Sequence, residues 1–185
     1  MSSSGVGVLV SGFGSNLQAL LDAGLPVVAV AANKRDAYAL ERARAAGVPT
    51  AVFSLDCHAD REERDLVMAT WLEGHGVELV VLAGYMHLLT KPFLDRFPGR
   101  IVNVHPSLLP AFPGPRAIAD ALEAGVETTG VTVHLVDEGI DTGPVLRQEP
   151  VPVEPRATLE ERIHAVEHRL LPAVVRELVA ERSPA

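Results

Sequence analysis

Asn103 and His105 are the two residues of this chain whose types and spacing most readily suggest chemistry. They lie in the segment Ile101-Val-Asn-Val-His-Pro-Ser-Leu-Leu-Pro110, in an apolar stretch that predicts a strand. Side chains two positions apart on a strand project from the same face, so the carboxamide and the imidazole would enter one cleft. Such a pair can supply an oxyanion donor and a proton-transfer group. A strand-end histidine is also a common hydrogen-bonded structural residue, and the pair alone leaves both interpretations open.

A carboxylate, Asp141, follows in the glycine-flanked segment Gly139-Ile-Asp-Thr-Gly143. An aspartate beside a histidine orients the ring and favours the imidazolium. The alternative interpretation is an Asx turn that only connects two strands. Asp141 is therefore a third candidate for the site that Asn103 and His105 suggest.

A glycine turn, Gly12-Phe-Gly-Ser-Asn16, follows the first predicted strand and precedes a predicted helix. Glycines let the backbone approach a ligand, and the free amides at a helix N-terminus favour an anion. The alternative is a tight turn in which Ser15 only caps the helix. The dinucleotide-binding pattern would need a third glycine at Leu17 and an acidic residue near Lys34-Arg35, so NADP binding is weakened but not excluded. The turn fits a terminal phosphate better.

Short apolar strands that alternate with helices are expected to position these loops. Strands are predicted at 6–10, 27–31, 50–53, 78–83 and 101–104, and capping residues predict helices that begin at Ser15, Asp36, Asp60 and Thr158. This order indicates βαβ units and a parallel sheet covered on both faces. Segments 131–136 and 144–153 predict an antiparallel pair, and the last helix is predicted to kink at Pro172. The predicted fold is α/β: a doubly wound, mostly parallel, Rossmann-like sheet with an antiparallel C-terminal strand pair and a long C-terminal helix.

Composition restricts the class of protein. The chain has 185 residues, for which we expect one domain spanning 1–185. Its net charge of -8 argues against a nucleic-acid surface, and no apolar run reaches the roughly 18–20 residues of a membrane span. Cys57 is the one cysteine, so no internal disulfide can form and a cytoplasmic location is expected. No spaced His, Cys and Asp cluster indicates a metal site.

Several short motifs, taken together in their order, resemble a known family. They are Gly14-Ser-Asn-Leu-Gln-Ala-Leu20, Asn33-Lys34, Leu82-Ala-Gly-Tyr-Met86, Asn103-Val-His-Pro-Ser-Leu-Leu-Pro110, Pro113-Gly114, Gly130-Val-Thr-Val-His134, Asp141-Thr-Gly-Pro144 and Glu167-His168. From about Val6 to Leu178 the chain resembles the phosphoribosylglycinamide formyltransferases, a family of folate-dependent enzymes.

The resemblance implies an enzyme that transfers the formyl group of 10-formyltetrahydrofolate, as co-substrate, to the amine of 5'-phosphoribosylglycinamide in purine biosynthesis. It implies that Asn103, His105 and Asp141 are catalytic: the amine attacks directly, and Asn103 and His105, assisted by Asp141, stabilise the oxyanion. The implied nucleotide half is about 1–100, and the implied folate and catalytic half is about 101–185. The other implied contacts are to the nucleotide from Gly14, Ser15, Asn16 and Glu167, and to the folate from Arg61, Met86, His87, Leu88, Leu89 and Asn103. No metal is implied.

Two positions depart from the pattern of the family. His87 stands where many relatives have Arg. Pro115-Arg116 follows the Pro113-Gly114 motif and stands where relatives commonly have His, which leaves open whether the loop at 113–116 supports the site by a hydrogen bond. A formyltetrahydrofolate hydrolase and a noncatalytic or NADP-binding α/β module stay as alternatives. A tRNA formyltransferase is disfavoured, because it should carry a further tRNA-binding domain. The expected partners are small molecules, with no nucleic acid and no membrane, and homodimer formation is left open.

Overall fold

Seven strands form one twisted sheet in the computed structural model, which describes residues 4–182. The strands are β1 Gly5–Val10, β2 Val27–Ala32, β3 Thr50–Val52, β4 Val77–Leu82, β5 Ile101–His105, β6 Thr128–Leu135 and β7 Val145–Pro152. Their order is β3-β2-β1-β4-β5-β6-β7. Strands β1 to β5 run parallel, whereas β6 runs antiparallel to β5 and β7 antiparallel to β6. The predicted fold class is confirmed.

Helices cover both faces of this sheet. They are α1 Ser15–Asp22, α2 Ala39–Ala45, α3 Arg61–Gly74, α4 Lys91–Leu94, α5 Ala117–Ala124 and α6 Leu159–Arg182, with short 3-10 turns at Leu55–Cys57 and Arg156–Thr158. Alternate residues of β1 enter opposite cores: Val8 packs in the cluster that contains the apolar faces of α1, α2 and α6, and Leu9 in the cluster that contains those of α3 and α4. Burial on both faces explains why the parallel strands are almost continuously apolar.

The helix starts differ from the capping predictions at several places. Gly14, with φ 79°, is the N-cap of α1, so Ser15 is already helical and the predicted Ser15 cap is wrong. Helix α2 begins at Ala39, later than the prediction from Asp36, while the Asp60 carboxylate does accept from the Glu63 amide as predicted. The Thr158 hydroxyl contacts the Pro155 carbonyl, and α6 begins after it. Helices α4 and α5 were not predicted.

The direction in which successive strands are added to the sheet reverses between β1 and β4. Chain segments that leave β1 turn toward β2 and β3, whereas those that leave β4 turn toward β5. In doubly wound sheets, the loops that diverge from such a point leave a crevice at the carboxyl ends of the strands. Within residues 4–182, no helix is both long and apolar enough to cross a membrane.

Candidate active site

A cavity of about 730 Å³ occupies this crevice. Its walls come from the turn after β1, the loop after β4, the end of β5, the loop after β6 and the first half of α6. The predicted site residues that line it are Gly14, Ser15, Asn16, Met86, His87, Leu88, Leu89, Asn103, His105, Asp141 and Glu167. Segments far apart in the sequence therefore meet around one space.

The Asp141 carboxylate lies within contact distance of both other predicted catalytic side chains. Asp141 Oδ2 is 3.4 Å from His105 Nδ1, and Asp141 Oδ1 is 3.5 Å from Asn103 Nδ2. Asn103 and His105 share one face of β5, as their spacing predicted, and His105 is almost fully buried. A single carboxylate thus faces both an amide donor and an imidazole.

A backbone turn, Phe112-Pro-Gly114, holds two of these groups. The Phe112 carbonyl accepts from His105 Nε2 at 2.8 Å, and the Gly114 amide donates to Asp141 Oδ2 at 2.8 Å. The Ser107 hydroxyl also donates to the Phe112 carbonyl. The loop therefore supports the site through main-chain atoms, and the departure at Pro115-Arg116 does not remove these hydrogen bonds.

The electrostatic surroundings keep Asp141 ionised. Hydrogen bonding with His134, the Gly114 amide and the charge of His105 hold the pKa of Asp141 at about 2, against the opposing effect of burial. His134 is buried on β6, with Nε2 3.3 Å from Asn103 Nδ2 and 3.6 Å from Asp141 Oδ1. The Asp141 carboxylate is consequently ionised throughout the neutral pH range.

The turn after β1 forms the opposite end of the cavity. A Cβ on Gly14 would lie 2.5 Å from the Cβ of Ala39, so this position has space for glycine only. The Asn16 side chain donates to Glu167 Oε2 at 3.1 Å, which joins α1 to α6. Burial raises the pKa of Glu167, partly offset by the bond from Asn16. The N-terminus of α1 therefore lies at the wall of the cavity, beside the Asn16–Glu167 pair.

Arg42 supports this turn from outside the cavity. Its Nε donates to the Phe13 carbonyl at 2.9 Å, and its guanidinium lies 4.3 Å from the centre of the Phe13 ring and 5.1 Å from that of Tyr38. Nη1 donates to the Gln18 side chain at 3.1 Å. Arg42 therefore ties α2 and α1 to the glycine turn.

The loop after β4 is the third wall. Met86 and Leu88 are more than half exposed there, so apolar surface is available to a flat ligand. Arg61 does not line the cavity, but its Nη2 donates to the Leu88 carbonyl at 2.6 Å. Its predicted folate contact stays a prediction.

Sequence reasoning missed the groups that support the site. Phe112 and Gly114 act through backbone atoms, so their contacts could not be derived from residue type, although Pro113-Gly114 is one of the family motifs. The positive φ of 53° at Phe112 marks the turn in the structure. Arg64 and Asp65 are fully buried in α3, where a charged pair would ordinarily predict a solvated face. Across residues 4–182, no group of three or more His, Cys, Asp or Glu side chains could hold a metal ion.

Comparisons with known proteins assign the chain to a family. The formyl transferase family model matches residues 5–175. The chain is similar to phosphoribosylglycinamide formyltransferase of Mycobacterium tuberculosis (strain CDC 1551 / Oshkosh), with 49% identity over 92% of this chain and 83% of that protein. It is 45% identical, over 92% of its own length, to trifunctional purine biosynthetic protein adenosine-3 of Chironomus tentans, of which it spans 13%. Glycinamide ribonucleotide transformylase 1 from Symbiobacterium toebii has a similar structure, with a TM-score of 0.94 and 45% identity over 99% of this chain and 91% of that one. The predicted resemblance is confirmed, and the chain belongs to the formyl transferase family.

Proposed function

We propose that this chain transfers the formyl group of 10-formyltetrahydrofolate to the amine of 5'-phosphoribosylglycinamide. The names of its relatives support formyl transfer to that nucleotide. The observation that carries the proposal is the convergence of Asn103, His105 and Asp141 in one cavity, between the glycine turn and the loop after β4. Such a cavity can hold two substrates that meet at a central reacting carbon.

The two ends of the cavity suit the two substrates. Gly14, Ser15 and Asn16 would bind the nucleotide phosphate with backbone amides at the N-terminus of α1, where an anion is favoured. Glu167 would accept hydrogen bonds from the ribose hydroxyls or the glycinamide end. The folate ring would lie against the loop formed by Met86, His87, Leu88 and Leu89, with Asn103 beside the formyl group.

The reaction needs no protein nucleophile, because the amine of the nucleotide supplies the electron pair. That pair forms a bond to the formyl carbon, and the carbonyl electrons move to oxygen. The Asn103 amide donates a hydrogen bond to this oxyanion. The amine loses a proton, the carbonyl reforms, and the bond to N10 of the folate breaks as N10 gains a proton. The products are the formylated nucleotide and tetrahydrofolate.

His105 acts in this scheme through one nitrogen. Because Nε2 donates to the Phe112 carbonyl, Nδ1 is the nitrogen that faces the Asp141 carboxylate and can exchange a proton. Asp141 stays ionised, since its pKa is about 2, so its role is to orient the ring and stabilise a proton on Nδ1. The proton would pass between amine and N10 by way of this nitrogen.

A spectrophotometric assay of tetrahydrofolate release tests the proposal. We expect release from 10-formyltetrahydrofolate only when 5'-phosphoribosylglycinamide is present, with formylated nucleotide formed in equal amount. Release that is independent of the nucleotide would identify a hydrolase. No release, combined with thermal stabilisation by NADPH and none by the nucleotide, would favour the NADP-binding module.

A phosphate-free analogue of the nucleotide tests the assignment of the glycine turn. We expect it to bind far more weakly than the phosphorylated substrate, as measured by its inhibition constant. Equal affinity would remove the turn at 14–16 from phosphate binding.

A further inference from the structure

The loop that follows β4, residues 86–90, is held from behind by side chains outside the cavity. The Met86 amide donates to Ser11 Oγ at 2.9 Å, and the Thr90 amide donates to Asp65 Oδ2 at 2.7 Å. Together with the contact from Arg61 to the Leu88 carbonyl, these bonds fix the backbone of the loop against β1 and α3.

His87 supplies the central side-chain contact of this loop. Its Nδ1 lies 2.7 Å from Nη1 of Arg64, and the Asn33 side-chain amide lies 3.1 Å from its Nε2. Arg64 is fully buried, and its Nε donates to Asp65 Oδ1 at 2.8 Å. A guanidinium only donates hydrogen bonds, so Nδ1 must accept and the imidazole must be neutral.

The charges that face His87 oppose a proton on its ring. Helix α3 presents Arg64, Arg61 and Asp65, and the segment after β2 presents Lys34, so three cations and one carboxylate act on the imidazole. From the segment between β4 and this loop the Tyr85 ring approaches, 5.9 Å between centroids, and burial keeps that phenol neutral by raising its pKa to about 12. Burial and the neighbouring Arg64 lower the pKa of His87 below its ordinary value of 6.5.

We propose that His87 is a positioning residue, which holds the 86–90 loop in its folate-binding shape through Arg64 only while the imidazole is neutral. This inference rests on the proposed function, because it assumes that the loop binds the folate. Protonation places a cation against the buried guanidinium, breaks the acceptor contact and releases the loop. Folate affinity should therefore fall with acidification, independently of the catalytic groups on β5.

Three variants separate this role from a structural one. His87→Asn places an oxygen near the position of Nδ1, which accepts from Arg64 but does not titrate. His87→Leu removes the acceptor at every pH and leaves a buried charged donor unpaired. His75→Asn is the matched control, since His75 lies at the far end of α3 and contacts the carbonyl and the ring of Trp71, away from the 86–90 loop.

The measurement is the KM for 10-formyltetrahydrofolate at pH 7.5 and at the lowest pH, near 5, at which the enzyme stays folded. For the wild type and His75→Asn we expect KM to rise about tenfold on acidification, the equivalent of one lost hydrogen bond to a charged group. His87→Asn should show a much smaller rise, and His87→Leu a raised KM at both pH values. Any effect of pH on kcat that arises from His105 should be the same in all four proteins.

Amide hydrogen exchange of residues 86–90 provides a readout that does not need turnover. At low pH the wild-type loop should exchange faster than the loop of His87→Asn, and at pH 7.5 the two should agree. Equal exchange and parallel KM profiles in the two proteins would overturn the role of His87. Absence of formyl transfer, with the exchange difference still present, would overturn the proposed function and not the pH-dependent contact.

Discussion

Replacement of Asp141 by Asn gives a test that follows directly from the geometry of the site. Asn has nearly the same shape but no charge. Its NH₂ group would face either the Gly114 amide and His105 Nδ1, which now meet Oδ2, or the Asn103 amide and His134, which now meet Oδ1. The change therefore removes the favourable interactions of the charge while keeping the volume of the side chain.

The magnitude follows from the pKa of Asp141. A fall from 3.8 to about 2 on folding corresponds to about 2 kcal/mol of stability at neutral pH. Because the folded pKa is depressed, this contribution is fully present above about pH 4 and is lost as the pH falls through about 2. The variant lacks it at every pH.

Urea unfolding at pH 7 and at pH 3 measures this difference. We expect Asp141→Asn to be less stable than wild type by about 2 kcal/mol at pH 7 and by about 1 kcal/mol at pH 3. Asp137→Asn is the control on the same loop, because that exposed side chain accepts from the Gly139 amide and Thr142, and an Asn oxygen can do the same. A difference between wild type and Asp141→Asn that did not shrink at low pH would refute the electrostatic explanation.

Further substitutions test the remaining assignments. His105→Ala should lower kcat by roughly 10²–10⁴, as expected for a lost proton-transfer group, and wild-type turnover would exclude it from the mechanism. Asn103→Ala should lower kcat by roughly 10²–10³, as for a lost oxyanion donor, and a change in KM alone would contradict that role. Gly14→Ala, which must fit a Cβ 2.5 Å from that of Ala39, should lower the unfolding midpoint and raise the nucleotide KM; an unchanged midpoint would disprove the crowding. Arg42→Lys, which keeps the charge but loses the bond to Phe13, should raise the nucleotide KM about tenfold with little change in the folate KM, and equal effects on both would contradict it.

The order of elements could be predicted because the parallel strands are buried on both sides. Short apolar runs such as those of β1 and β4 are typical of central strands. The spacing of Asn103 and His105 then predicted that both side chains lie on the same face of β5. Exact helix starts could not be predicted. Ser15 is a residue type favoured at the N-cap, but Gly14, with its positive φ, occupies that position. Helix α5 is short, and alanines such as Ala117 and Ala121 supply its buried face, so its pattern was weak.

The proposed catalytic groups were identifiable from the sequence, but most of the contacts that support them were not. Asp141 carried a signal through its flanking glycines, whereas the carbonyl of Phe112 and the amide of Gly114 are present in every polypeptide. The buried position of Arg64 depends on how α3 packs against the loop after β4, which a local pattern does not contain. Tertiary contacts therefore determine which polar groups hold the site residues in place.

The bond between Asn16 and Glu167 joins positions 151 apart in the sequence. During synthesis, the glycine turn leaves the ribosome long before α6 does, so a nascent chain lacks one side of the proposed nucleotide pocket until α6 has emerged. Contacts of such long separation form late and slow the folding of a domain. The capacity to bind the nucleotide should consequently appear in the final stage of folding, when α6 docks on α1.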